Sequence, residues 1–300
     1  MSDDQIPLFW RSKYGTTQSP NCSLVGIGMH NDFSITQTDS TYRTWMVLNQ
    51  TSTELRSPFR ATFGGTFSRD PELMLSDLNR IIIGLKYVFP SKRLKVLLPP
   101  AHLIEFNPMG QLAVLEKYGA IIDFIDRSNF ISVADWTHSE LSRGNQKKYR
   151  QWHESGGTIE EVGIDKLHNV FEIIRLNRLM LGVVPSIDLP GLKILCEKFP
   201  HEYKLYLGRV GGVDASAAVV VRTSSCQNYV FFWADASAYR HLSPVVAMCV
   251  YLLDLAKKES LKFLDLGTAQ VEGVDNLGLV RFKANLGATE SDKYQVSMTL

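Results

Sequence analysis

The sequence predicts an α/β protein in which a mixed β-sheet flanked by helices is laid out twice along the chain, the first time in truncated form. Three observations lead there. The spacing of apolar residues switches repeatedly between the helical period of about 3.6 and the strand period of about 2. The second half has a fixed order of such elements, and the first half repeats the later part of that order. The chain has 300 residues, 45% of them hydrophobic, which suffices for two moderate cores.

The second half is the clearer. Thr158 to Val162 alternates as a short strand, and Asp165 stands as N-cap to an amphipathic run through Leu167, Val170, Phe171 and Ile174 that stops at Gly182. Leu189 to Phe199 forms a second helix, entered through Pro190 and left at Pro200. Tyr203 to Val210 and Ala215 to Thr223 then read as a hairpin turned at Gly211-Gly212, followed by a third, aromatic strand from Asn228 to Ala234. Ser243-Pro244 supplies an N-cap and first residue for a long apolar helix that ends at Lys257-Lys258. Lys262 to Leu266 is a short strand, Gly278 to Leu286 a helix, and Ala288 to Met298 a last strand.

The first half has strands near Leu24 to Gly28, Phe33 to Thr38 and Thr44 to Leu48, a helix from Asp70 to Phe89 and a strand from Leu94 to Leu98. A helix near Gln111 to Tyr118 and a strand from Ile121 to Ile125 complete it. The opening strand and two helices of the second half have no counterpart there. The expected division is a truncated domain over residues 1–135 and a complete one over 136–300. Gly26-Ile27-Gly28 is not a dinucleotide fingerprint, because the third glycine and the following helix are absent.

A formal net charge of +1 provides no global field toward nucleic acid or anionic lipid, so DNA is not an expected partner. Met1 to Pro7 is polar and acidic, and no stretch of about twenty apolar residues occurs, which predicts a cytoplasmic protein without membrane insertion. Cys22, Cys196, Cys226 and Cys249 are far apart and read as reduced core residues, with no metal site implied.

Four stretches then carry a resemblance. Leu141 to Arg150 (LSRGNQKKYR), Trp233-Ala234-Asp235-Ala236 followed by Pro244, Leu264-Asp265-Leu266-Gly267, and Arg281-Phe282-Lys283 with Leu286-Gly287-Ala288 occur in the order found in Fem-type, FemAB-like proteins. These form a branch of the GCN5-related N-acetyltransferase (GNAT) superfamily with two such domains in one chain. The resemblance covers about Leu141 to Leu300, and Ser57 to Gly65 resembles a segment of related bacterial proteins. It implies a transferase that moves an acyl or aminoacyl group to an amine.

The resemblance implies a site as well. It places Lys283 on the final helix near the transfer point, where a cation can stabilise an oxyanion. Asp265 and Asp235, at strand ends near the cleft, are candidates to orient the amine or accept its proton. The donor would lie at Tyr239, Arg240, His241 and Ser243, where the N-terminus of the following helix suits a phosphate, although the glycines common in acetyl-CoA-binding loops are missing. Arg60, Gly64, Gly65 and Trp233 are the acceptor-side candidates. An acyl-CoA thioester is the preferred co-substrate and no tightly bound cofactor is expected. Aminoacyl-tRNA is the second reading, since the chain is near neutral and shows no coiled-coil hairpin, and a non-catalytic ligand-binding protein of the same tandem fold is the alternative from another class. The acceptor would be a small molecule or a cell-envelope precursor. Arg143, Lys147, Lys148 and Arg150, with Tyr149 and Trp152 beside them, form the one local basic patch, which suits phosphate contact as well as a solvated helix face.

Overall fold

Alternating branched and aromatic residues build most of the strands where the period predicts them. In the computed structural model, residues 23–29, 33–36, 43–58, 62–271 and 273–300 are described, the first two segments by their backbone. The first half runs β1 (Ser23–Met29), β2 (Phe33–Thr36), β3 (Thr44–Gln50), β4 (Glu54–Ser57), β5 (Thr66–Ser68), α1 (Met74–Val88), β6 (Arg93–Leu97), α2 (Pro108–Lys117) and β7 (Ile121–Ser132). The second runs α3 (Arg143–Glu154), β8 (Thr158–Val162), α4 (Leu167–Met180), α5 (Leu189–Lys198), β9 (Tyr203–Val210), β10 (Val213–Ser224), β11 (Gln227–Asp235) and α6 (Pro244–Lys258). It closes with β12 (Phe263–Thr268), the short pair β13 (Gln270–Val271) and β14 (Val274–Asp275), α7 (Leu277–Ala284) and β15 (Thr289–Thr299).

Capping chemistry sets several boundaries. Ser142 Oγ accepts from Asn145 N at the start of α3, and Asp188 Oδ1 from Gly191 N at the start of α5. Asp165 does not cap α4 as its position suggested. It lies within a 3-10 turn, Ile164–Lys166, and α4 starts at Leu167 without a side-chain cap. The turn absorbs the residues that a cap would have to reach across.

The two halves share one continuous sheet, in the order β2-β1-β3-β4-β6-β15-β7-β12-β11-β10-β9-β8, with β5 paired to β3. The last strand thus inserts between two strands of the first half. Its register sets Val296 opposite Val96 on β6 and Lys293 opposite Asp126 on β7. β7 is longer than its apolar start predicts because its second part also pairs with β12, Phe130 facing Asp265. Helices cover both faces. Val246, Val250 and Leu253 of α6 pack on Val220, Val230 and Leu264, while Val170, Ile174, Leu192 and Leu195 of α4 and α5 pack on the opposite face of the same strands. In the first half Leu78, Ile81 and Leu85 of α1 meet Met46, Leu48 and Leu94, and Val296 and Met298 of β15 join that core. Each such buried side chain contributes about 1.5–3 kcal/mol, and those of β15 join the second half to the core of the first.

Candidate active site

The site begins where two parallel strands part. β11 and β12 pair through only three positions, Gln227 with Phe263, Asn228 with Leu264 and Tyr229 with Asp265, and then diverge. A bulge helps to turn β11 away: Val220 faces Val230 and Val219 faces Phe232, so Phe231 is an extra residue on β11. The result is a wedge with a polar floor, Tyr229 of β11 lying against Gly267 and Trp233 against Phe282.

Lys283 points into this wedge from α7. It is 2% exposed, and its Nζ donates to Gly267 O at 2.7 Å and Thr268 O at 2.9 Å, at the end of β12. An ammonium has three donors, and the two carbonyls take two of them. Burial pushes the amine down to about 8, with Asp265 acting in the opposite direction and Lys293 and Arg178 in the same one.

Asp265 lies beneath Lys283 as a fully buried carboxylate. Its Oδ1 accepts from Ser128 Oγ at 3.0 Å and from Gly267 N at 2.7 Å, and its Oδ2 accepts from Gln227 Nε2 at 3.4 Å. These bonds make it a group that shapes the Gly267 turn, where φ is +75°, and so sets the carbonyls that hold Lys283. Gln227 continues the chain. Its Nε2 also donates to Thr223 Oγ1, so its Oε1 is the atom 3.0 Å from His102 Nε2. His102 therefore carries its proton on Nε2, and among the described residues its buried Nδ1 is left as an acceptor with no partner. Stacked on Phe130 at 4.0 Å, His102 is held below the usual imidazole range chiefly by burial. A hydrogen-bonded series thus runs from His102 in the first half through Gln227, Asp265 and Gly267 to Lys283.

The sequence reading placed Asp235 with these residues, but it stands apart. It lies six residues beyond Tyr229, roughly 15–20 Å along the strand at about 3.3 Å per residue. Its Oδ1 accepts from Val245 N at 2.9 Å, in the first turn of α6, and burial pushes its carboxyl up to about 7. Ser243 occupies the N-cap position with φ +49°, but its side chain caps nothing; Asp235 does that work from the neighbouring strand. A carboxylate therefore already occupies the place where a donor phosphate was expected. Arg240 and His241 are exposed in the turn Ser237–Leu242, Tyr239 is half-buried, and His241 O accepts from Lys148 Nζ at 2.5 Å.

Of the acceptor-side candidates, Arg60 lies outside the described residues. Gly64 and Gly65 form a tight structural crossing: Gly64 N donates to Leu97 O, Gly65 N to Ser57 Oγ, and the next amide, Thr66 N, to Gln111 Oε1. These amides are committed within the protein. Trp233 packs edge-on against Phe282 of α7 at 5.8 Å, on the wall of the wedge. Three residues were not anticipated. Arg178 of α4 sits over Phe232 at 6.0 Å, Tyr229 packs against Gly267, and Lys293 is 4% exposed with its Nζ 3.4 Å from Thr62 O. Burial opposes the charges of both Arg178 and Lys293. All three read as ordinary helix or strand residues in the sequence. Cys196, Cys226 and Cys249 are buried free thiols. Among the described residues no group of three or more His, Cys, Asp or Glu could hold a metal, and no helix is long and apolar enough to cross a membrane.

A mixed sheet with a wedge between two parallel strands, a helix starting beside its mouth and a second such unit in the same chain define the tandem acetyltransferase-like fold. Solved structures bear this out. The chain is similar to FemX, with a TM-score of 0.73 at 13% identity, over 99% of this chain and 92% of that one. It is also similar to L-PGS from Bacillus licheniformis (TM-score 0.60, 9% identity, 85% of this chain and 81% of that one). A tandem GNAT protein from the clavulanic acid biosynthesis pathway gives 0.51 at 10% identity, over 97% and 87%. No family model and no curated protein sequence matches the chain. The chain shares its fold with FemX and with the tandem GNAT protein.

Proposed function

We propose that the protein transfers an aminoacyl or acyl group from an activated ester to an amine in the wedge between β11 and β12. The observation that carries this reading is Lys283, a buried ammonium with two hydrogens bound to carbonyls and one donor left. That donor suits the oxyanion of a tetrahedral intermediate. The neutral acceptor amine attacks the ester carbonyl carbon, forming the C–N bond as the carbonyl electron pair moves onto oxygen. Collapse of the intermediate breaks the bond to the leaving group, which takes up the proton lost by the amine.

Asp235 bears on the donor. A diphosphate at the head of α6 would have to displace a carboxyl already bonded to Val245 N and, above about pH 7, would also meet its charge. This favours the aminoacyl ester of an RNA, the second donor that the Fem-type resemblance implies, over acyl-CoA. The acceptor is an amine of a small molecule or cell-envelope precursor, entering past Trp233. Thermal unfolding tests the donor assignment, because a ligand at about 100 times its Kd stabilises the native state by about 2.7 kcal/mol. A non-hydrolysable 3′-aminoacyl RNA analogue should raise the melting temperature, and acetyl-CoA at the same concentration should not. The reverse pattern would restore acyl-CoA as the donor.

A further inference from the structure

The exposed face of α3 carries an unfavourable row of charges. Arg143, Lys147 and Arg150 recur at i, i+4 and i+7 on its exposed face. Like charges at that spacing repel, and Arg143 opens the helix, where the dipole disfavours a cation. Among the described residues none of the three makes an ion pair, and Glu154 enters the row only at its far end. Among the described residues the three cations are left to solvent or to a ligand from outside.

The neighbouring stripe of the same helix is aromatic. Tyr149 stacks on His138 (5.2 Å, 29°) and meets His153 edge-on (4.6 Å), while His138 meets Trp136 edge-on (5.4 Å). Tyr149 and His153 line a surface cavity of 440 Å³ that is backed by Tyr251 and Asp254 of α6. Tyr149 also lines a second cavity, of 370 Å³, with His138 and Gln146. Rings offer stacking faces to any base, and a carboxylate such as Asp254 accepts from an amino-bearing one. Rings beside a row of cations match the alternation of bases and phosphates.

α3 is also tied to both sides of the wedge. Ser142 N and Asn145 Nδ2 donate to Asn285 O, one residue beyond α7, at 3.0 and 2.9 Å. At the other side Lys148 holds the turn before α6 through His241 O. A strand laid on α3 therefore lies beside the two elements that flank the transfer point.

We propose that this face of α3 docks the single-stranded end of an RNA, with phosphates on Arg143, Lys147 and Arg150 and bases on Tyr149 and His153. The proposal rests on the reading that the donor is an RNA ester. It is tested on the full chain by fluorescence anisotropy of a labelled single-stranded oligoribonucleotide over a range of salt concentrations. Three phosphate contacts correspond to a slope in log K against log salt of about −2. The R143E/K147E/R150E variant should bind at least tenfold more weakly and lose that slope. His153→Ala should weaken binding about fivefold, at the low end of stacking measured by alanine substitution, with the slope kept. Equal binding by wild type and both variants would overturn the docking site. So would binding of phosphatidylglycerol vesicles through the same residues with none of RNA. Transfer from a minimal aminoacyl nucleoside ester, too short to reach α3, tests the RNA-ester reading separately: its absence overturns that reading, and its presence with unaltered RNA binding in the variants overturns the docking site alone.

Discussion

Lys283→Met should change how stability depends on pH. In the unfolded chain the amine holds its proton up to about 10.5, whereas burial in the native wedge brings it down to about 8. Between these values the unfolded state binds more protons, so native stability rises with pH; below 8 both states are protonated and the full cost of burying the charge remains. At about 1.4 kcal/mol per pH unit, the rise across the whole window is about 3.5 kcal/mol. The variant also leaves the Gly267 and Thr268 carbonyls without their donor, but that cost is independent of pH and moves only the offset. The neutral amine keeps two hydrogens, one for each carbonyl, so deprotonation does not undo the local structure. Urea unfolding of both proteins at pH 7, 8, 9 and 10 measures the difference. Wild type should gain on the variant by about 2.5 kcal/mol between pH 7 and 10, most of it above pH 8. Parallel pH curves would refute a buried, depressed Lys283.

Three further substitutions follow from the same contacts. Asp235→Asn keeps an oxygen for Val245 N but carries no charge. Because the native carboxyl sits near 7 and the ordinary value is 3.8, wild type loses stability as pH rises between the two, so the variant should be the more stable at pH 8, by at most about 4 kcal/mol. Melting temperatures at pH 4 and 8 check this, and an equal difference at both would remove Asp235 as the cause. His102→Ala strips the donor from Gln227 Oε1 and should cost about 1–3 kcal/mol. It should also displace the alkaline limb of transfer activity by loosening the series that ends at Lys283; an unmoved limb would confine His102 to a packing role. Gly64→Ala places a Cβ 2.5 Å from the Ser57–Pro58 backbone and should destabilise by about 3 kcal/mol or more, read as a lower urea midpoint. Wild-type stability there would contradict the close crossing.

The legible parts of this fold are those whose cause is local. Tyr203–Val210 and Thr158–Val162 end where their alternation ends, and α6 starts at the proline that opens its apolar run. The insertion of β15 between β6 and β7 left no such trace, because strand pairing across most of the chain length is not written into either strand's own pattern. For the same reason Asp126 and Ser128, beyond the expected end of their strand at Ile125, and Lys293 give no local sign of the buried polar floor they line. Lys283 was found through its likeness to a family motif; its spacing alone would have made it a surface helix lysine. Asp235 caps α6 from ten residues upstream of Val245, a reach that no capping pattern encodes. His102, a lone histidine after a proline pair, acquires meaning only from Gln227, 125 positions away.

The most direct test of the wedge as a transfer site is the single-turnover rate of amide formation against pH for wild type, Lys283→Arg and Lys283→Met. Removing one oxyanion donor costs about 10²–10³ in rate, so Lys283→Met should fall by that factor. Wild type should lose activity as pH rises through about 8, where the third hydrogen leaves Lys283. Lys283→Arg, always charged, should be slower but show no fall in that range. A wild-type rate in Lys283→Met would contradict the assignment of Lys283 and with it the mechanism.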